Sequence, residues 1–134
     1  MNGALAFVVA GDPPGKPRMT RRDRWARRPA VLSYRAWADR ARLAAAEALG
    51  ELMKARQPPG TVRAVAYFAM PASWRPKLRA EMVGKPHRVK PDSDNVAKAL
   101  LDALTDRDQV IHEIHILKRW DDGAGPRLEV WLEA

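Results

Sequence analysis

The clearest periodicity in the chain lies over residues 94–104. Val96, Leu100, Ala103 and Leu104 recur at i, i+4, i+7 and i+8, one apolar stripe of an α-helix, with Asn95, Lys98 and Asp102 on the opposite, polar side. Pro91 favours an extended or turn conformation at Lys90, and Asp92, Ser93, Asp94 and Asn95 are all good N-cap residues. The helix is therefore expected to start there, with both aspartates at its mouth. A second helical pattern begins at Val31 and is expected to end near Gly50. It has Leu32, Ala36 or Trp37, Leu43 and Ala44 on one side and Arg35, Asp39, Arg40, Arg42 and Glu47 around the rest. Tyr34 and Trp37 read as packing aromatics of that helix.

Period-two alternation marks the strands. Over residues 61–70, Val62, Ala64, Ala66 and Phe68 alternate with Arg63, Val65, Tyr67 and Ala69, which gives one core face and one mixed face. Over residues 127–132, Leu128, Val130 and Leu132 alternate with Arg127, Glu129 and Trp131. Residues 109–120 read as a long strand, and the Asp-Gly step at Asp122-Gly123 supports a hairpin joining these last two strands. Residues 5–10 are a short apolar run ended by Gly11, Pro13, Pro14 and Gly15, as expected of a buried first strand. A short helix is expected at about residues 73–82. The main elements then run β-α-β-α-β-β.

Length and composition narrow the class. A chain of 134 residues is expected to form one domain with a single core. With no cysteine, neither a disulfide framework nor a thiolate metal site is available, and a reducing compartment is the natural setting. The apolar run at residues 4–10 is too short to span a bilayer and lacks a basic stretch before it, so a soluble, cytoplasmic protein is expected.

Charge changes the picture more. The formal net charge is +8, from 24 Lys and Arg against 16 Asp and Glu, which fits a polyanionic partner. The positive residues fall in two loop-rich stretches. One holds Lys16, Arg18, Arg21, Arg22, Arg24, Arg27 and Arg28; the other holds Arg75, Lys77, Arg79, Lys85, Arg88 and Lys90. Arginines can pair bidentately with phosphates, and Trp25 is available to stack on a base. A solvated basic loop with no specific partner is the plainer reading of the first stretch.

Inside this basic chain stands a small acidic nest: Asp92 and Asp94, followed by Asn95 and Lys98. Such residues often do no more than cap a helix and complement its dipole. A calcium loop is excluded, because Val96 and Ala97 stand where an oxygen ligand and a glycine are needed. Read functionally, two carboxylates flanked by positive charge suit a divalent cation beside a phosphodiester. His112 and His115 do not form H-E-x-x-H and read as ordinary strand residues; no Gly-rich phosphate loop or G-x-S-x-G elbow is present. Chemistry therefore falls to the carboxylates.

These residues resemble those of the RusA-type Holliday junction resolvases. The run KPDSDNVAKALLDALTD is similar to that family's D-x-D-N, with a Lys four residues after the second Asp and D-A-L one turn on. The leading segment GDPPGKPRMTRRDRWARRPAVLSYRAWADRAR resembles the Gly-Lys-Pro-Arg loop and following helix of phage members, and the strand after D-Q-V ends in K-R-W as theirs does. The resemblance implies an α+β fold, a small mixed sheet of about four strands flanked by two main helices. It implies a homodimeric, Mg²⁺-dependent endodeoxyribonuclease that cuts four-way DNA junctions by paired nicks, with no small-molecule cofactor and no membrane.

Carried over position by position, Asp92 and Asp94 match the paired metal-binding aspartates and Lys98 the catalytic lysine. Lys16, Arg18, Arg21, Arg22 and Lys90 are the expected DNA contacts. The third carboxylate is where the chain departs. Family members have a longer connection after D-A-L, with two adjacent Asp, the second of them two places before the Gln. Here that place is Arg107, with Asp106 and Asp108 on either side. Asp108 adjoins the strand and is the expected third catalytic and metal-binding carboxylate, with Asp106 as the other choice. An incomplete site would instead leave a basic DNA-binding module with weak or no cleavage. A phosphohydrolase acting on small nucleotides is a third class.

Overall fold

The computed structural model describes residues 4–17, 20–24, 28–56, 58–105 and 108–134, with the side chains of Asp23, Arg24 and Asp108 outside the description. Among the described residues there are four strands: β1 (Phe7–Ala10), β2 (Thr61–Phe68), β3 (Glu113–Trp120) and β4 (Arg127–Glu133). The described residues also form three α-helices: α1 (Pro29–Lys54), α2 (Pro76–Met82) and α3 (Ser93–Leu104). Short 3-10 turns occupy Arg21–Arg24 and Asp108–Val110. The α+β order read from the sequence is the one observed, with the seven-residue α2 as a third helix.

The strands form one mixed sheet in the order β1-β4-β2-β3. β4 runs antiparallel to both β1 and β2, whereas β2 and β3 are parallel, in register from Thr61↔Glu113 to Phe68↔Trp120. The expected β3–β4 hairpin is therefore absent, because β2 lies between those two strands. The connection over residues 121–126 crosses the end of β2, a gap of two interstrand spacings or about 10 Å, too wide for a tight turn. Asp121 anchors it: its N–H donates to the Phe68 carbonyl (2.8 Å), and its carboxylate accepts from the N–H groups of Gly123 and Gly125. Both glycines have left-handed φ, 106° and 98°, a conformation their lack of a Cβ permits.

The parallel β2–β3 pair needs a crossover, and α3 supplies it. Its stripe of Val96, Ala99, Leu100, Ala103 and Leu104 is buried. α1 packs against α3 and β1 and buries Val31, Tyr34, Trp37, Ala38, Ala41 and Ala45. That face is rotated from the expected one: Leu32 and Leu43 are exposed, because small alanines let α1 approach the sheet and its neighbour closely. α1 also runs through Gly50 to Lys54, and the chain turns away at Arg56 with φ 55°. Facing the helices are Val62, Ala64, Ala66 and Phe68 of β2 and Leu128 and Val130 of β4, all in one buried cluster. β3 begins only at Glu113, because residues 108–110 wind into a 3-10 turn first.

The outer side of the sheet carries its own paired charges. Arg63 meets Glu133 at 2.5 Å, and Arg127 reaches Asp122 and Glu129 at 3.0 Å while lying 4.0 Å from the centre of the Tyr67 ring. The carboxylates hold Arg127 well above the usual guanidinium range and hold Asp122 below the usual carboxylate range. Among the described residues, no helix is long and apolar enough to cross a membrane.

Candidate functional site

The mouth of α3 is built by the segment before it, residues 85–92. Trp120 N–H donates to the Lys85 carbonyl (2.8 Å), and His87 N–H donates to the Lys118 carbonyl (3.0 Å), so this segment lies along the end of β3. The His87 ring stacks on Phe68 with centroids 3.9 Å apart and planes 19° apart, and meets Trp120 at 4.4 Å. Trp74 closes the group, 4.7 Å from Trp120. Burial first, and the nearby Lys118 charge second, push His87 down to about 4. It is neutral at physiological pH and serves as an anchor. Further on, Lys118 Nζ donates to the carbonyls of Val89 (2.7 Å) and Pro91 (2.6 Å).

α3 then begins with Asp92 as its N-cap. The Asp92 carbonyl accepts from Asn95 and Val96 N–H, both at 3.1 Å, yet the Asp92 carboxylate makes no capping hydrogen bond. Asp94 lies in the first turn, and Lys98 follows one turn later on the same side of the helix. All three are exposed. Among the described residues, none of the three has a side-chain hydrogen bond or ion pair, so helix capping does not account for Asp92.

The leading loop folds over this mouth. Asp12 accepts from Ala69 N–H (2.7 Å), and Gly11 N–H donates to the Pro126 carbonyl (3.0 Å). Gly15 then passes so close to α3 that a Cβ there would meet the Cβ atoms of Pro91 and Asn95 at 2.8 and 3.2 Å. Lys16 pairs with Asp102 on the polar side of α3 at 2.5 Å, and this hydrogen bond holds the ammonium above the usual lysine range. Residues 11–17 are thus a strap across α3 rather than a loose loop.

The expected site residues are distributed as follows. Asp92, Asp94 and Lys98 share the start of α3; Lys90 is exposed immediately before them; Lys16 reaches α3 but is engaged by Asp102. Arg21 and Arg22 are exposed in the 3-10 turn after the strap. Arg18 and Asp106 lie outside the described residues. The backbone of Asp108 is at the other end of α3: the turn Asp108–Val110 follows Leu104, and His112 N–H donates to the Gly60 carbonyl just before β2. A helix of this length spans about 18 Å, so the fold does not bring the Asp108 backbone to the carboxylate pair. His112 precedes β3, and His115 pairs with Glu113 at 2.7 Å.

The donor chemistry fits a hard cation. Asp92 and Asp94 offer uncommitted oxygen ligands, and Mg²⁺ is commonly held by one or two carboxylates while keeping several waters. Among the described residues, no group of three or more His, Cys, Asp or Glu side chains is placed to hold a metal ion. The exposed cations Arg88 and Lys90 lie just before the pair and Lys98 just after it, and among the described residues none has a carboxylate partner. Sequence reasoning missed three residues that shape the site: Gly15, His87 and Lys118. For Lys118 a signal existed, since it shares the inward parity of Ile114, Ile116 and Trp120 on β3. His87 lies in the irregular run Lys85-Pro86-His87-Arg88 and carries no such mark.

Residues 13–133, nearly the whole chain, match the sequence profile of the family described as Endodeoxyribonuclease RusA. No curated protein and no solved structure matches the chain.

Proposed function

Because the chain belongs to the RusA endodeoxyribonuclease family, we propose that it is a Mg²⁺-dependent, structure-selective endodeoxyribonuclease that resolves four-way DNA junctions by paired nicks. It would act as one domain over residues 1–134, paired as a homodimer, in recombination and repair in the cytoplasm. The observation that carries this reading is the pair of exposed, uncommitted carboxylates, Asp92 and Asp94, at the start of α3 in a chain of net charge +8.

In this reading Asp92 and Asp94 would hold the cation, beside the DNA backbone. Bound there, a divalent cation supplies Lewis-acid polarisation of the phosphodiester and neutralises charge. Lys98, one turn further along the same side of α3, stabilises the negative charge that develops at phosphorus. Arg88 and Lys90 offset the repulsion between the carboxylates and the incoming backbone, and Arg21 and Arg22 add phosphate contacts beyond the strap. Lys16 contributes through the strap by holding Asp102. Asp108 remains the candidate third carboxylate, and its backbone lies at the far end of α3 from Asp92 and Asp94.

That placement favours a second reading, a junction-binding module that nicks weakly or not at all. A synthetic four-way junction separates the two. The nuclease reading expects symmetric nicks with Mg²⁺, none with EDTA, and no cutting of a linear duplex of the same sequence. Tight junction binding with no nick at any Mg²⁺ or Mn²⁺ concentration would establish the binding module instead.

A further inference from the structure

The inward row of β3 is Ile114, Ile116, Lys118 and Trp120, and the outer row is Glu113, His115, Leu117 and Arg119. Lys118 therefore places an ammonium in a row otherwise reserved for apolar side chains, a breach of the strand's pattern that calls for a compensating role. Its opposite neighbour on β2 is the fully buried Ala66, whose small side chain leaves room for the lysine stem. Its Nζ donates to two main-chain carbonyls, Val89 at 2.7 Å and Pro91 at 2.6 Å, and among the described residues it has no carboxylate partner.

The position of those carbonyls is what matters. Pro91 is joined by its own carbonyl carbon to the nitrogen of Asp92, so the ammonium grips the peptide unit from which the N-cap residue projects. The other anchors of the segment act earlier: the Lys85 and His87 main-chain bonds and the His87–Phe68 stack hold residues 85–87. Among the described residues, Lys118 and the contact of Gly15 with Pro91 are what fix residues 89–91. Without the ammonium the segment stays docked on β3, while its last three residues before α3 lose their hydrogen-bonded support.

We infer that Lys118 is a positioning residue, which sets the divalent-cation affinity of the site by fixing the backbone that presents Asp92 and Asp94. It touches neither cation nor DNA. The inference rests on the reading of those aspartates as metal ligands. A group that orients metal ligands in this way characteristically changes metal affinity by roughly 10- to 100-fold when removed.

The test uses the full chain and Lys118→Met, with Mn²⁺ binding measured by calorimetry, junction affinity in EDTA, and the Mg²⁺ concentration that gives half-maximal nicking. Mn²⁺ affinity is expected to fall roughly 10- to 100-fold, with the Mg²⁺ requirement rising in step and junction affinity in EDTA unchanged. Lys118→Cys gives the same loss, and alkylation with bromoethylamine then rebuilds an ammonium of lysine length and restores Mn²⁺ binding. The chain contains no other thiol to react. Unchanged Mn²⁺ affinity in Lys118→Met overturns the inference. So does a loss that aminoethylation leaves in place, or an equal loss of junction affinity in EDTA, since either marks general structural damage. An unsubstituted chain that binds no Mn²⁺ and makes no nick overturns the nuclease reading itself, a result distinct from the other three.

Discussion

Gly15 lies against Pro91 with no room for a side chain: a Cβ on Gly15 would stand 2.8 Å from the Pro91 Cβ. This contact ties the leading loop to the backbone that introduces Asp92, so strap and carboxylate pair form one unit. The limit is space, because Pro91 is a rigid ring and Asn95 a helical residue, and neither can swing aside. Gly15→Ala should cost about 1–3 kcal/mol of stability, as overpacking typically does, and should lower nicking more than junction binding. Urea unfolding alongside cleavage assays checks this; native stability would show that the strap simply lifts away.

Asp92→Asn and Asp94→Asn should each abolish Mg²⁺-dependent nicking and leave junction binding intact or tighter, since each removes a negative charge beside a phosphate. Because both carboxylates are exposed and, among the described residues, without partners, stability should change little. The largest expected loss is about 0.3–1 kcal/mol at Asp94, from its favourable place in the first turn of α3. Normal cutting by either variant removes that aspartate from the site.

Replacing both Arg21 and Arg22 by Ala should weaken junction binding and flatten its dependence on log salt by roughly two units of slope, at about 0.9 per phosphate contact. Filter binding across a salt series measures it. An unchanged slope moves these exposed arginines off the DNA.

His87 predicts a pH dependence of stability. Its folded value is about 4 against an unfolded value near 6.5, so between those limits the unfolded chain binds more protons. The stability associated with a neutral His87 is thus fully present above about pH 6.5 and is lost as pH falls towards 4, on the order of 3 kcal/mol in all. In His87→Phe the difference in urea midpoint between pH 7 and pH 5 should shrink. The variant should fold well at pH 7, because phenylalanine keeps the stack on Phe68 and, among the described residues, no other residue supplies the buried Nδ1 with a hydrogen-bond partner. An equal pH response in both proteins would show that His87 protonates without resistance.

The order of elements, the buried stripe of α3, the two faces of β2 and the placing of Asp92, Asp94 and Lys98 on one helix start were all determined by the sequence alone. Each depends on burial repeating with the period of a helix or strand, and that period is written locally. Tertiary structure alone decided that β2 separates β3 from β4, because an Asp-Gly turn signals a reversal of the chain without naming the strand it returns to. Packing likewise chose which side of α1 faces inward, since its many alanines allow more than one apolar side. The same long-range pairing set Gly15 against Pro91, Lys118 beneath the start of α3 and the Asp108 backbone at its far end: proximity between distant residues follows from sheet order and crossover direction, which no local pattern encodes.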